Sequence, residues 1–522
     1  MNSDDSFYIS TPIFYVNDRP HIGHIYTATI ADIVARRQRM IGREVFFLTG
    51  TDEHAAKVVD AASDRGLSTR AWADQNAGAF RKAFQDFGIS NDDFIRTSEQ
   101  RHIEFVEKVV SDLEATGDVY LGQYEGWYDV SQEEYVPESR AKEHDFCSPI
   151  TRKPLVRRAE ENYFFRLSEY SKPMLELLER NPDFVKPEAR KNEVIGRIKE
   201  GLADVPISRT GGGDWGVSFP GNPKHMIYVW IDALLNYASA IDLDRRRHYW
   251  PATVHLIAKD ILWFHAVIWP SLLMAISKAR GNEWLSVPNT VYAHSFWISE
   301  GQKMSKSLGN FIDLEQLHGY KERFGLDALR FFFATQGPLD TMDGDFSRSR
   351  FIEVYNSDLA NTVGNSWNRI VNMTRRYCAG RLNRKVDGEG LGAELERIAS
   401  KKPQDSLGVG YVSHGVEMIK AIDGYIQETQ PFKLAKDASN SSQVEEILYR
   451  CAESYRIASL YLWPALTEKM TEVWSRSGLF SYTEVLKNRG SGDLEQWTAW
   501  GGLSEGTELL EGPALFPRYL EE

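Results

Sequence analysis

The stretch Tyr8-Ile9-Ser10-Thr11-Pro12-Ile13-Phe14-Tyr15-Val16-Asn17-Asp18-Arg19-Pro20-His21-Ile22-Gly23-His24 carries two structural periods in succession. Tyr8 to Val16 is dense in aromatic and β-branched residues and reads as a strand. Asn17 to Pro20 break it. From His21 the spacing turns helical: Tyr26, Ile30, Ile33 and Val34 fall on one face, and Gly42 follows the last turn. Val45 to Leu48 is a second strand, which runs into Thr49-Gly50-Thr51-Asp52-Glu53-His54. Strand, helix and strand in that order predict an α/β fold with a parallel sheet, and helical segments follow to about Ala115.

Outward from this unit the texture changes. From Tyr120 to about Asn162 aromatic and charged residues mix, with Pro137, Pro149 and Pro154 as breakers. This reads as a small insertion of strands and loops that passes into helices. The α/β pattern returns at Ile227 to Trp230 and Val254 to Ile257, and beyond Arg350 the chain is mostly helical. The apolar run Ile261 to Ile276 contains His265 and Pro270 and is too short to span a bilayer comfortably, so a buried helix and no membrane contact are expected.

Composition sets the outer bounds. At 522 residues, with 42% hydrophobic and 26% charged residues, the chain is an ordinary globular one of about three to four domains. A net charge of −13 restricts any nucleic-acid contact to a local basic face. Three widely spaced cysteines, Cys147, Cys378 and Cys451, fit a reducing compartment. Met1 to Ser6 carries acidic Asp4 and Asp5 and reads neither as a secretory signal nor as a transit peptide.

Two motifs carry chemistry. His21-Ile22-Gly23-His24 stands where a strand turns into a helix. A helix N-terminus offers free N–H groups and the positive dipole end to phosphate, Gly23 admits a close ligand, and both histidines can donate to phosphate oxygens. Lys303-Met304-Ser305-Lys306-Ser307 lies in a polar loop between Gly301 and Gly309, where mobile ammonium groups suit a pyrophosphate that is gripped and then released.

Together the two motifs resemble the HIGH and KMSKS signatures of class I aminoacyl-tRNA synthetases. The resemblance implies a Rossmann-like catalytic domain split by a connective insertion and followed by an α-helical bundle that binds the anticodon. The implied boundaries are residues 1–118 (first catalytic half), 119–225 (insertion), 226–300 (second half), 301–350 (KMSKS loop and stem contact) and 351–522 (helical domain). It also implies ATP with Mg²⁺, the nucleotide being held by His21, Gly23, His24, Lys259, Asp260, Lys303 and Lys306. Of these, His21, His24, Lys303 and Lys306 are the catalytic set.

The segments Thr11 to Tyr15, Thr49 to His54, Tyr228 to Tyr237 and Lys259 to His265 are similar to those of methionyl-tRNA synthetases, from about Phe7 to about Trp463. A methionine site needs shape, aromatic surface and a polar handle. Ile13, Trp230, Ala233, Ile261 and Phe264 supply apolar walls, and Tyr15 and Tyr237 add hydroxyls. By resemblance Leu234 belongs to the same segment, Tyr237 and His265 lie near the sulfur, and Asp52 meets the ammonium. Where the family has glycine this chain has Ala55 and Ala258.

The insertion offers only Cys147 and His144, short of the four ligands a structural zinc needs, so no metal is expected. Tyr124 to Ser131 resembles the zinc-free version of mitochondrial and some bacterial enzymes. In the helical half, Tyr355 to Tyr377 reads as a helix with Leu359, Val363, Trp367 and Ile370 as its stripe and Asn365 and Arg369 together on a flank. The resemblance makes Asn365, Arg369 and Phe432 readers of the CAU anticodon of tRNA(Met). Arg375, Arg376, Arg381, Arg384 and Lys385 form a basic cluster fit for tRNA phosphates. The expected protein is a monomer of the mitochondrial matrix, with a bacterial-type cytoplasmic enzyme as the alternative. Two other readings stay open: a synthetase for another amino acid, and an RNA-binding protein that keeps the fold without catalysis. Intact His21, His24, Lys303 and Lys306 argue against the second.

Overall fold

The computed structural model describes residues 5–131, 134–136, 138–210, 215–305, 309–401, 403, 407–487 and 492–520. Its centre is a sheet of six parallel strands: β1 (Ser6–Tyr15), β2 (Glu44–Asp52), β3 (Asp93–Arg96), β4 (Val185–Lys186), β5 (Val254–Ala258) and β6 (Thr290–His294), in the spatial order β3-β2-β1-β5-β6-β4. The order reverses between β1 and β5. In such sheets the crossovers on either side of the reversal leave a crevice beyond the carboxyl ends of the strands.

The expected β-α-β unit is present. Helix α1 (Ile22–Met40) follows β1, and Tyr26, Ile30, Ile33 and Val34 are buried. The burial is not confined to one stripe, because 15 of its 19 residues are inside. The helix is covered by the sheet on one side and by later helices on the other, and Asp32 at mid-helix meets the latter. Its carboxylate takes Arg36 Nε at 2.6 Å and Arg330 Nη2 at 2.6 Å, and Arg330 also donates to the Pro464 carbonyl at 2.9 Å. Burial by itself would raise the Asp32 carboxyl, but the two guanidinium groups outweigh it and hold the group well below the usual range. Helix α1 thereby joins the sheet to the helical half of the chain.

Strand β1 has a register shift between Ser10 and Ile13, where Thr11 and Pro12 of β1 face the single residue Thr49 of β2. Pro12, which has no N–H to give to a ladder, sits in this bulge. Beyond it Ile13 pairs with Gly50 and Tyr15 with Asp52. The β2–β3 contact is equally tight at Gly50, where a β-carbon would stand 2.0 Å from the Ile95 carbonyl oxygen.

Three strands of this sheet are missing from the sequence reading: β3, β4 and β6. Val185–Lys186 has two residues, too few for a period to show, and Asp93–Arg96 and Thr290–His294 have polar or charged residues at both ends, without the apolar run that marks the equally short β5. The insertion contains an antiparallel sheet of Val119–Asp129, Glu134–Val136, Val156–Phe165 and Val205–Pro206. Strand β4, from the same expected stretch 119–225, lies instead at the edge of the central sheet beside β6. The run Ile261 to Ile276 is a buried helical segment as expected, and among the described residues no helix is long and apolar enough to cross a membrane.

The helical half includes α2 (Asn365–Cys378), α3 (Tyr411–Thr429) and α4 (Ser441–Leu462). A wide-turn helical segment, Tyr355–Gly364, leads directly into α2, and Leu359, Val363, Trp367 and Ile370 are all buried. The expected basic cluster is largely neutralised: Arg375 pairs with Glu511, Arg381 with Glu508 and Arg384 with Glu446. The acids come from far along the chain, so a local count of charges could not show them.

Gly50→Ala forces β2 and β3 apart. We expect a loss of about 1–3 kcal/mol in urea unfolding, the usual cost of overpacking a closed site; an unchanged midpoint would show that the two strands separate freely.

Candidate active site

The turn from β1 into α1 is built by its own histidines. The Gly23 N–H donates to His21 Nδ1 at 3.1 Å, and the His21 N–H donates to His24 Nδ1 at 3.2 Å. A backbone N–H can only donate, so both Nδ1 atoms carry lone pairs and the ring protons sit on Nε2. The two rings are 3.9 Å apart. Burial, and then His21, push the His24 pKa well below its ordinary value. The pair is thus held as two neutral N–H donors.

The Lys303 motif reaches this turn through the segment that follows it. The Ile22 N–H donates to the Ile312 carbonyl at 3.2 Å, His21 forms a bridge with Asp313, and the rings of His21 and Phe311 are 5.2 Å apart. At the base of the loop, Asn310 accepts the Ser305 N–H at 2.8 Å and donates to the Lys303 carbonyl at 3.2 Å. Lys303 is exposed at the end of the strand Gln302–Lys303. Lys306 lies outside the described residues.

At the end of β5, Lys259 and the exposed Asp260 open the next turn. Lys259 Nζ contacts Asp343 Oδ1 at 2.5 Å, and Asp343 also accepts the Phe296 N–H at 2.9 Å. Lys259 is therefore engaged by a carboxylate here, although the sequence reading gave it to the nucleotide. Ala55 and Ala258 have φ of −72° and −85°, so neither position requires glycine's backbone freedom.

Beside these turns lies an aromatic slot. Tyr15, Trp230 and Phe264 are half-buried; Trp230 stacks on Phe264 at 3.8 Å and meets Tyr15 edge-on at 6.2 Å. Ile13 and Ile261 are half-buried near them, Ala233 and Asp52 are buried, and Leu234 is deep in the core behind. Trp230 and Phe264 also line a cavity of about 670 Å³ shared with residues of the insertion.

Behind the slot, the Tyr237 hydroxyl is 2.8 Å from His265 Nε2, and His265 Nδ1 is 3.0 Å from the Ile261 carbonyl. The carbonyl can only accept, so Nδ1 carries the proton and Tyr237 donates to Nε2. Burial lowers His265 to about 4 against the smaller opposing effect of its Ile261 bond, and burial raises Tyr237. Both are neutral across the physiological range.

Sequence reasoning missed two supports of this site. Tyr8 donates its hydroxyl to the Tyr237 carbonyl at 2.8 Å. Asp232 binds His54 and His102, the latter 130 residues away. Of the residues expected to read an anticodon, Asn365 is exposed, Phe432 is half-buried, and Arg369 Nη1 is 3.1 Å from Asp423 Oδ1. Among the described residues no group of three or more His, Cys, Asp or Glu is placed to hold a metal ion.

A sheet with a reversal point, a histidine turn on one side of it and a lysine loop returning to that turn define the catalytic domain of a class I aminoacyl-tRNA synthetase. The family model for tRNA synthetases class I (M) matches residues 7–148 and 143–371. Methionine–tRNA ligases of Halalkalibacterium halodurans and Streptomyces coelicolor are each 38% identical to this chain; the first comparison covers 98% of the chain and 78% of the relative, the second 99% and 97%. The solved Mycobacterium tuberculosis methionyl-tRNA synthetase in complex with methionyl-adenylate is 34% identical, with a TM-score of 0.86 over 98% of this chain and 100% of that one. The chain belongs to the methionyl-tRNA synthetases: it activates methionine with ATP as the adenylate and transfers it to tRNA.

Because His265 is buried neutral, its contribution to stability is full above the unfolded value near 6.5 and is lost as pH falls toward about 4. His265→Gln should flatten the stability curve over that window by up to roughly 1.4 kcal/mol per pH unit, read by urea unfolding from pH 7 to 4.5. An unaltered slope would place the charge change elsewhere.

Proposed function

We propose that His21, Gly23, His24, Lys303 and Lys306 form the phosphate-handling part of this ligase, with Lys259 and Asp260 at its edge. Methionine sits in the slot of Ile13, Tyr15, Asp52, Trp230, Ala233, Leu234, Tyr237, Ile261, Phe264 and His265. The observation that carries this reading is the tie between Ile22 and Ile312, which couples the histidine turn to the return of the lysine loop.

The methionine carboxylate attacks the α-phosphorus of ATP, and pyrophosphate leaves. A terminal ribose hydroxyl of tRNA then takes the methionyl group from the adenylate. No covalent enzyme intermediate is needed, so alignment of the reactants supplies most of the rate. The two Nε2–H groups and the lysine ammonium groups meet charge that develops on the phosphates. Asp52 pairs with the substrate ammonium, and the stacked aromatic pair and the Tyr237–His265 couple enclose the thioether. Mg²⁺ would arrive on the ATP phosphates. The described residues gather no cluster of three or more acidic, histidine or cysteine side chains for it.

Asn365, Arg369 and Phe432 are the proposed readers of the CAU anticodon. Their support is the i, i+4 spacing of Asn365 and Arg369 on one helix, with Asn365 exposed and Arg369 and Phe432 partly so. The reading needs no residue from a second copy, which supports a monomer. The relatives named above are bacterial, which supports a bacterial-type cytoplasmic enzyme; a mitochondrial matrix enzyme rests only on the likeness of the insertion.

Two experiments test these roles. Lys306→Ala should slow ATP–pyrophosphate exchange about 100-fold while leaving the methionine KM nearly unchanged; near-normal exchange would remove Lys306 from the phosphate set. Arg369→Ala should cut kcat/KM for tRNA(Met) by about 10- to 100-fold, as loss of a base contact does, with pyrophosphate exchange intact. Equal loss in both assays would make Arg369 a structural residue.

A further inference from the structure

Asp232 is an ionisable residue that the reaction above does not use. It is 2% exposed. Its Oδ2 lies 2.8 Å from His54 Nδ1 and its Oδ1 lies 3.0 Å from His102 Nε2. A carboxylate only accepts, so each imidazole gives it an N–H. Burial opposes the charge of Asp232, yet the two imidazoles hold its pKa well below the usual carboxylate range. The far side of the His102 ring is fixed as well, with Nδ1 2.7 Å from Ser239 Oγ. The Trp215 indole donates to the Glu53 carbonyl at 2.5 Å, and its ring meets His54 edge-on at 5.7 Å.

Three separate elements meet at this carboxylate. His54 follows the end of β2, two residues after Asp52. Asp232 lies in the helix Val229–Leu234, two residues after Trp230, and His102 lies in the helix Gln100–Ala115. An apolar trio of the same volume would fill this space at lower cost, because a buried carboxylate must recover its desolvation from its partners. What an apolar trio lacks is direction. The His54 bond ties the turn that follows Asp52 to the helix that carries Trp230, and the His102 bond to the opposite oxygen anchors that helix to the helix Gln100–Ala115, so the placement of Trp230 relative to Asp52 is fixed from two directions.

We propose that Asp232, His54 and His102 are positioning residues that set the span of the methionine subsite, from the ammonium partner Asp52 to the aromatic wall at Trp230. The proposal rests on the assignment of that slot to methionine. The nucleotide groups come from the β1–α1 turn, the end of β5 and the lysine loop, and none of the three positioning residues lies on those segments. Loosening the tether therefore weakens methionine binding and spares ATP.

The test is ATP–pyrophosphate exchange by the full-length protein, with methionine and ATP varied separately. His54→Leu, His102→Leu and Asp232→Asn should each raise the methionine KM roughly ten-fold or more, with the ATP KM held within about two-fold. His54→Asn and His102→Gln place an amide N–H where the imidazole N–H was, and they should recover most of the affinity lost in the leucine variants. If a leucine variant fails to fold by thermal melting, Asp232→Asn and the amide variants carry the comparison. Trp230→Ala serves as the control for the slot. A raised methionine KM in Trp230→Ala with wild-type values in Asp232→Asn and the leucine variants overturns the tether. So does an equal rise in both KM values, which marks a general structural role. A normal methionine KM in Trp230→Ala overturns the slot assignment itself.

Discussion

Strands β1 and β5 lie side by side, yet the chain leaves them toward opposite edges of the sheet. No crossover can cover the gap beyond their carboxyl ends, and this constraint locates everything else. The histidine turn follows β1, Lys259 and Asp260 follow β5, and Asp52 closes β2 in register with Tyr15. The buried Asp32–Arg330 pair fixes α1 against the later helices, so the turn at the head of that helix has a defined place relative to the whole helical half.

Polar atoms behind the slot are matched in donor and acceptor sense. Tyr8 gives its proton to the Tyr237 carbonyl, Tyr237 gives its own to His265, and His265 gives its own to Ile261. Below them the Trp269 indole donates to His255 Nε2 at 3.2 Å, which leaves His255 Nδ1 to donate to Ser10 Oγ at 2.7 Å. A neutral relay of this kind costs far less to bury than charges do. It also holds the rings still, so the shape of the slot does not depend on pH near neutrality.

The sequence showed local things well and distant things poorly. The β1–α1–β2 unit was legible because each element spans nine residues or more, enough for its period to repeat. The His21 and Lys303 motifs were legible because each is contiguous. Strands β3, β4 and β6 were not: the equally short β5 is marked by Val254, Leu256 and Ile257, whereas Asp93–Arg96 and Thr290–His294 carry polar or charged residues at both ends and Val185–Lys186 is two residues long. The His54–Asp232–His102 cluster has no local signature at all: its members are brought together by three elements whose packing no spacing encodes. The ion pairs of Arg375, Arg381 and Arg384 were illegible for the same reason, because their partners Glu511, Glu508 and Glu446 lie 62 or more residues further along the chain.

Strand β4 bears on how freely this architecture can be recombined. Val185 and Lys186 pair with Val291 and Tyr292, so the connective stretch returns a thread to the parent sheet before it closes. It is not a cassette with two hinges. A splice that removed it whole would expose the hydrogen-bonding edge of β6, and an exposed edge recruits another chain. Grafting a foreign module here succeeds only if the graft brings its own selvedge, or if these two residues stay with the host.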